Sequence, residues 1–283
     1  FDDTLTGSDS GIFESFEGGS GNDIIDGRGG IDRVDYSHSY AGVAVNLSTG
    51  VANDDLGGVD TLSNIEVVRG STFADTLIGS DSSTPETFDG GAGADFIDGR
   101  GGIDTVDYSA AKGGVTVNLM NQFGFDGNGL VTDISSYDTL LNIENVTGGA
   151  FNDNLLGNTS DNVLLGGEGN DTLSGWNGDD TLIGGAGSNR LIGGLGNDTY
   201  VIENLTDVIT EESTTVASGQ IYSSYIGPYY AKYAGNTDLV QVNVATAGAT
   251  FSLAAIANVE NATLVNAVSF NLIGNELDNV LTG

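Results

Sequence analysis

Between Gly166 and Val201 the chain repeats a nine-residue phrase four times without a gap: GGEGNDTLS, GWNGDDTLI, GGAGSNRLI and GGLGNDTYV. Each phrase carries one apolar residue at position 8, namely Leu173, Leu182, Leu191 and Tyr200. Positions 7 to 9 read as a short strand whose position-8 side chain points inward while its neighbours point out. Glycine at positions 1, 2 and 4 permits positive φ and lets backbone carbonyls crowd where a Cβ would stand. One such phrase cannot bury its own apolar residue, whereas stacked copies can, so the repeat dictates a solenoid.

The energetics of one repeat call for a partner. Fixing nine residues costs roughly 1–2 kcal/mol each in backbone entropy, and burying one leucine-sized side chain returns only about 1.5–3 kcal/mol. Stacking also sets the Asp at position 6 about 4.8 Å from its counterpart, a repulsion on the order of 3 kcal/mol per pair at an effective dielectric of about 20. A divalent cation between the turns reverses that sign. Calcium takes roughly six to eight oxygens in flexible geometry, so a turn of bare carbonyls with one carboxylate supplies half a shell and a neighbouring turn the rest. The chain is expected to be largely unfolded without calcium.

Charge agrees with this reading. Forty acids stand against seven bases, a formal net charge of −33, which disfavours nucleic acid and anionic membranes and favours cations. The 45 glycines lack a G-X-Y period, which excludes collagen, and the hydrophobic fraction of 39% is too high for an acidic disordered tail. Without Cys there is neither a disulfide nor a thiolate metal site. No apolar run is long enough for membrane insertion, and no signal-peptide pattern is seen. Phe1 to Leu5 starts inside a nonapeptide and Gly283 would open another, so the sequence reads as a slice of a longer protein.

Residues 18–47 and 90–119 align without gaps, with 21 of 30 positions identical, through GGxGxDxID, GRGGIDxVDYS and GVxVNL. Each copy then reaches a DTL-x-NIE element, at Asp60 to Glu66 and at Asp138 to Glu144, the second after an insertion around Asn121 to Asp133. The modules are accordingly 1–72, 73–150, a longer third at 151–268 with a tyrosine-rich insertion at 216–236, and the start of a further repeat at 269–283. In the first two modules the turn before GGxGxD is stretched to eleven residues and carries Glu14 or Glu86 in place of Asp. GVAVNL and GVTVNL alternate like half-buried strands, with Val43, Val45 and Leu47 on one face, as wider coils of the stack or a short sheet beside it.

In these nonapeptides, and in the DYS…GVxVNL and NIENV…GNxxDNVLTG elements between them, the chain resembles the RTX, or hemolysin-type calcium-binding, repeat family over nearly its full length. The resemblance implies an all-β, calcium-bound parallel β-roll or β-solenoid in tandem modules, two nonapeptides per coil, with calcium between turns n and n+2 on one side. It also implies type I secretion of a bacterial surface protein. Carried onto this sequence, the same-side pairs are Asp3 with Asp23, Glu14 with Asp32, Asp75 with Asp95, and Glu86 with Asp104. In the third module they are Asp153 with Asp171, Asp171 with Asn189, Asn162 with Asp180, and Asp180 with Asp198. Eight candidate calcium sites follow, helped by backbone carbonyls of the turns that begin at Gly18, Gly90, Gly166, Gly175, Gly184 and Gly193. Asn162 and Asn189 keep an oxygen but lose the charge, so their sites are expected to be weaker. Arg28, Arg100 and Trp176 stand where the second glycine should be, against ideal turn geometry.

No catalytic constellation is present. The single His, His38, is Ala110 in the second copy, and GxSxG, HExxH and GxxxxGK[ST] are all missing, so the chain is expected not to be an enzyme. Two functional readings remain. One is a calcium-dependent structural or adhesive region of a secreted or cell-surface bacterial protein, as an adhesin stalk or surface-layer lattice. The other is the C-terminal secretion, folding or substrate-binding region of a secreted protease, lipase or alginate epimerase. Tyr222, Tyr225, Tyr229, Tyr230 and Tyr233 are candidates for contact with cell-surface polysaccharide or a neighbouring copy, or for a loop that covers the roll.

Overall fold

In the computed structural model the described residues are 1–54, 58–125, 137–211, 237–244, 249–256, 258–265 and 271–283. The tyrosines from Tyr222 to Tyr233 lie outside them. The chain divides into two compact units, Phe1–Ala150 and Phe151–Gly283; the repeats at 1–72 and 73–150 share the first.

Both units are rolls of short strands that alternate for the most part between two long sheets, with Thr250–Ser252 and Asn271–Ile273 of the second unit paired in a small sheet of their own. In the second unit one sheet takes Asn154–Leu156, Thr172–Asn177, Arg190–Leu195 and Val208–Thr210, while the other takes Val163–Glu168, Thr181–Ala186, Thr199–Ile202, Leu239–Val242, Asn261–Leu264 and Val280–Thr282. Pairing is parallel and joins every second nonapeptide: Leu173 lies beside Leu191, and Leu182 beside Tyr200. All four of these position-8 side chains are 0% exposed. The core is thus a file of single apolar residues from each sheet, as the nine-residue period requires. Among the described residues the only helix is a single 3-10 turn at Leu253–Ala255.

The first unit has the same construction. One sheet contains Glu14–Phe16, Asp32–Asp35, Val67–Arg69, Thr87–Asp89, Thr105–Asp107 and Asn145–Thr147. The facing sheet is interrupted twice. Ala44–Asn46, from GVAVNL, pairs parallel with Thr76–Ile78 but antiparallel with Val51–Asn53, which in turn runs antiparallel to Val59–Ser63. This segment is therefore neither a wider coil nor a separate sheet. A tight reversal with Gly50 at φ 66° folds the chain back within the sheet plane. Phe123–Phe125 does the same between Thr116–Asn118 and Asp138–Leu141. Val43 and Val45 are buried and Leu47 is half-buried.

The three residues that displace the second glycine keep the turn instead of deforming it. Arg28, Arg100 and Trp176 take φ of 64°, 63° and 85°, where Gly19, Gly91 and Gly167 take 78°, 83° and 103°. A side chain in the left-handed region costs about 1–2 kcal/mol, part of which glycine returns as unfolded-state entropy. Arg28→Gly is therefore expected to raise the calcium-loaded melting temperature by a few degrees, on the order of 0.5–1 kcal/mol. Thermal unfolding followed by circular dichroism reads this, and an unchanged or lowered midpoint would mean that the arginine relieves its own strain.

Candidate metal centre

The position-6 acids stand directly before the strands, and the parallel register stacks them into two ladders, one along each sheet edge. The rungs are joined by hydrogen bonds. In the second unit the Asp153 N–H donates to Asp171 Oδ1 at 2.8 Å, Asp171 N–H to Asn189 Oδ1 at 2.9 Å, Asn162 N–H to Asp180 Oδ1 at 2.8 Å, and Asp180 N–H to Asp198 Oδ1 at 2.9 Å. In the first unit the Asp3 N–H donates to Asp23 Oδ1 at 2.7 Å, Asp75 to Asp95 at 2.9 Å and Glu86 to Asp104 at 2.8 Å. Glu14 lies opposite Asp32 in the strand register. The structure thus brings together every same-side pair read from the sequence.

In these rungs one carboxylate oxygen is used in this way and the other is not, except in Asp32, where neither oxygen receives a hydrogen bond. Oδ2 of Asp23, Asp32, Asp104, Asp171, Asp180 and Asp198 is buried and receives no hydrogen bond. A buried anionic oxygen without a donor is costly. Each of these oxygens lies over the first glycine of its own turn, as the Gly166 turn illustrates. A Cβ on Gly166 would collide with Asp171 Oδ2 and stand 2.6 Å from the carbonyl oxygen of Gly184, two turns on. Gly70 repeats this with Asp75 Oδ2 and the Gly90 carbonyl at 2.7 Å. Carboxylate and carbonyl oxygens from turns n and n+2 therefore converge on a space that only glycine leaves open.

The longer acids reach the same place. Glu14 Oε2 lies 2.8 Å from where a Cβ on Gly7 would be, and accepts the Ser8 N–H at 2.7 Å. Glu86 Oε2 stands over Gly79 and accepts the Ser80 N–H at 2.9 Å. The other departures differ more. Asn189 turns its amide Nδ2 toward Gly184, so a donor occupies the position held elsewhere by an anionic oxygen. Asn162 places Oδ1 over Gly157, where it accepts the Asn158 N–H at 2.8 Å. Asp75 is already well supplied: Oδ1 accepts from the Val43 N–H at 2.7 Å and the Ser71 hydroxyl at 2.8 Å, and Oδ2 from the Ser71 N–H at 2.7 Å. Asp3 is exposed. His38 is exposed beside Glu17 and touches no rung.

The ladders continue past the glycine turns. Asp23 N–H donates to Asp60 Oδ1 at 3.0 Å, Asp32 to Glu66 at 3.0 Å, Asp95 to Asp138 at 2.9 Å and Asp104 to Glu144 at 3.0 Å. In the second unit Asn189 donates to Asp207 at 2.9 Å, Asp198 to Asp238 at 2.8 Å and Asp238 to Glu260 at 2.9 Å. Sequence reasoning passed over these seven acids because the glycines are missing there. The signal that remained was an acid two places before a core residue, as in Asp60-Thr61-Leu62, Asp207-Val208-Ile209 and Glu66-Val67-Val68.

The electrostatics are those of anions held out of water. Burial, then like-charged neighbours, raises the carboxyl of Asp180 to about 8 against Asp198, Asp161 and Asp179, and that of Asp104 to about 7 against Glu86 and Glu144. Asp198 and Asp238 rise to about 7 and Asp171 to about 6, again chiefly through burial. The N–H donated by the preceding rung offsets part of this in each case. The ligand set offered is carboxylate and carbonyl oxygen alone, which suits a hard cation of calcium's kind and neither a thiophilic nor an imidazole-bound metal.

These features define a class: a parallel two-sheet roll whose glycine turns form oxygen-lined seats backed by buried acids. The family described as RTX calcium-binding nonapeptide repeat matches the chain in four copies, over residues 14–35, 86–108, 147–182 and 177–200. The chain carries RTX, hemolysin-type, calcium-binding repeats. Comparison with the curated proteins finds no match.

Proposed function

We propose that this chain is a calcium-dependent structural or adhesive region of a secreted or cell-surface bacterial protein, a non-catalytic region that folds when it meets extracellular calcium. The observation that carries the reading is the row of buried Oδ2 atoms without donors, each over the first glycine of its own turn, where at Gly166 the carbonyl of Gly184 from two turns on closes over the same space. Calcium held there, by the eight same-side pairs read from the sequence and by the further rungs at Asp60, Glu66, Asp138, Glu144, Asp207, Asp238 and Glu260, would join successive coils and neutralise the ladder. The uncharged positions, Asn162 and Asn189, and the already satisfied Asp75 would hold it least well.

Extracellular calcium modules bind at around 10⁻⁴–10⁻³ M. At that affinity cytosolic calcium leaves the seats empty and the chain threadable, and millimolar calcium outside the cell folds it, which fits export through a type I system. Sedimentation velocity on the 283-residue chain, titrated from chelator to about 10 mM calcium, tests the proposal. Compaction without association is the expected result for a stalk, and reversible growth of large species that for a surface lattice. An unchanged sedimentation coefficient across the titration would reduce the glycine turns to ordinary turns.

A further inference from the structure

After Val201 the sequence leaves the nonapeptide pattern, yet the ladder does not end. Asp198 still donates its N–H to Asp238 Oδ1 at 2.8 Å, although the six residues ending at Asp238, Tyr233 to Asp238, lack glycine at positions 1, 2 and 4. A third acid arrives from the other sheet. Glu211 follows the strand Val208–Thr210, which pairs with Arg190–Leu195, whereas Asp198 precedes Thr199–Ile202 in the facing sheet. Carboxylate oxygens of Asp198, Glu211 and Asp238 all lie within 4.8 Å of one another.

The trio is built around an orphaned atom. Asp198 is 1% exposed, and its Oδ2 receives no hydrogen bond. That oxygen and the Tyr200 hydroxyl both crowd the α-carbon of Gly193, where an added Cβ would strike the two together. The same hydroxyl is hydrogen-bonded to Glu211 Oε2. Asp198 Oδ2 is therefore aimed into the space that Glu211 closes. Asp238 is as buried as Asp198, and Glu211 is half-buried. Three carboxylates this close repel strongly at low dielectric, and a hard cation turns that repulsion into attraction.

We propose that Asp198, Glu211 and Asp238 form a calcium site of a second type, in which a glutamate from the opposite sheet takes the place of the glycine-turn carbonyls and the ion fastens the two sheets together where the nonapeptides stop. The site rests on the calcium reading of the roll and differs from it in ligands: Glu211 joins two rungs of which the second, Asp238, has no glycine turn.

The test counts calcium ions bound per chain by equilibrium dialysis at saturating calcium, for the wild type, Glu211→Gln and Glu17→Gln, the last an exposed acid outside the ladders and the glycine turns. Glu211→Gln is expected to bind one ion fewer than the wild type, and Glu17→Gln the full number. Equal counts and equal affinities for Glu211→Gln and wild type would overturn the proposal and leave the ladder reading intact. A wild type that binds no calcium would overturn both. Should Glu211→Gln fail to fold, a lanthanide-soaked crystal of the wild type decides. An anomalous peak between the three carboxylates supports the site, and its absence alongside peaks at the glycine turns removes it.

Discussion

Calcium is expected to reverse the direction in which pH acts on this fold. In the ion-free chain the folded-state carboxyls of Asp171, Asp104, Asp198, Asp238 and Asp180 titrate at about 6, 7, 7, 7 and 8, all above the ordinary value of 3.8. A folded state with raised acid pKa values binds more protons than the unfolded chain, so its stability is complete below the unfolded value and is lost as pH rises through the folded ones. Proton loss from these groups opposes folding across that window, and five of them acting together weigh heavily against the marginal stability of a domain. The ion-free roll is therefore expected to persist best near pH 4 and to be unfolded by about pH 8.

Calcium needs the same oxygens deprotonated. With the ion present, proton and calcium compete, so stability falls as pH drops through about 8 to 6. The folded fraction followed by circular dichroism at about pH 5 and about pH 8, in calcium-free buffer and again in millimolar calcium, should change with pH in opposite directions. Calcium uptake near neutral pH should also release protons, seen as a binding enthalpy that varies with the ionisation enthalpy of the buffer. A change in one direction under both conditions would mean that the buried acids do not receive the ion.

The nine-residue period made the fold legible because it fixes three things at once: strand length, the single inward residue, and the n to n+2 register. Leu173 beside Leu191 needs nothing beyond that spacing. The acids paired by the same count came together for the same reason. What escaped lies where side chains do work that glycine does elsewhere. Asp60, Glu66, Asp138 and Glu144 are rungs without glycine turns, placed by the strands that contain or follow them. A further ladder runs at position 5, where Asp179 N–H donates to Asp161 Oδ1 and Asn197 N–H to Asp179 Oδ1, both at 2.8 Å. The Asn or Asp found there in repeat after repeat carries that information, but its polar, exposed character alone reads as ordinary surface. The antiparallel reversals at Val51–Asn53 and Phe123–Phe125 were hidden for another reason: alternation identifies a strand and not the direction of its partner.

Glycine's three positions in the repeat also separate by cause, and this sets the largest single-residue effect expected in the roll. Positions 2 and 4 have positive φ, as at Gly19 with 78° and Gly21 with 140°, and need glycine for its conformation. Position 1 does not: Gly18, Gly90, Gly166, Gly175, Gly184 and Gly193 are absent from the left-handed region. They are required for space. A Cβ on Gly166 meets the Asp171 carboxylate and a backbone carbonyl at 2.6 Å, whereas one on Gly19 has nothing within 4 Å. A flexible side chain can yield, but the Gly184 carbonyl is held by its own turn. Gly166→Ala is therefore expected to lower calcium-loaded stability by about 3 kcal/mol or more, combining overpacking with a spoiled ion seat. Gly19→Ala should cost only the left-handed strain, about 1–2 kcal/mol, and retain every ion. Thermal midpoints in calcium together with bound-calcium counts distinguish the two. If both variants lost the same stability and kept the same number of ions, the first glycine would be conserving conformation like its neighbours, and the oxygen-lined seat over it would hold no metal.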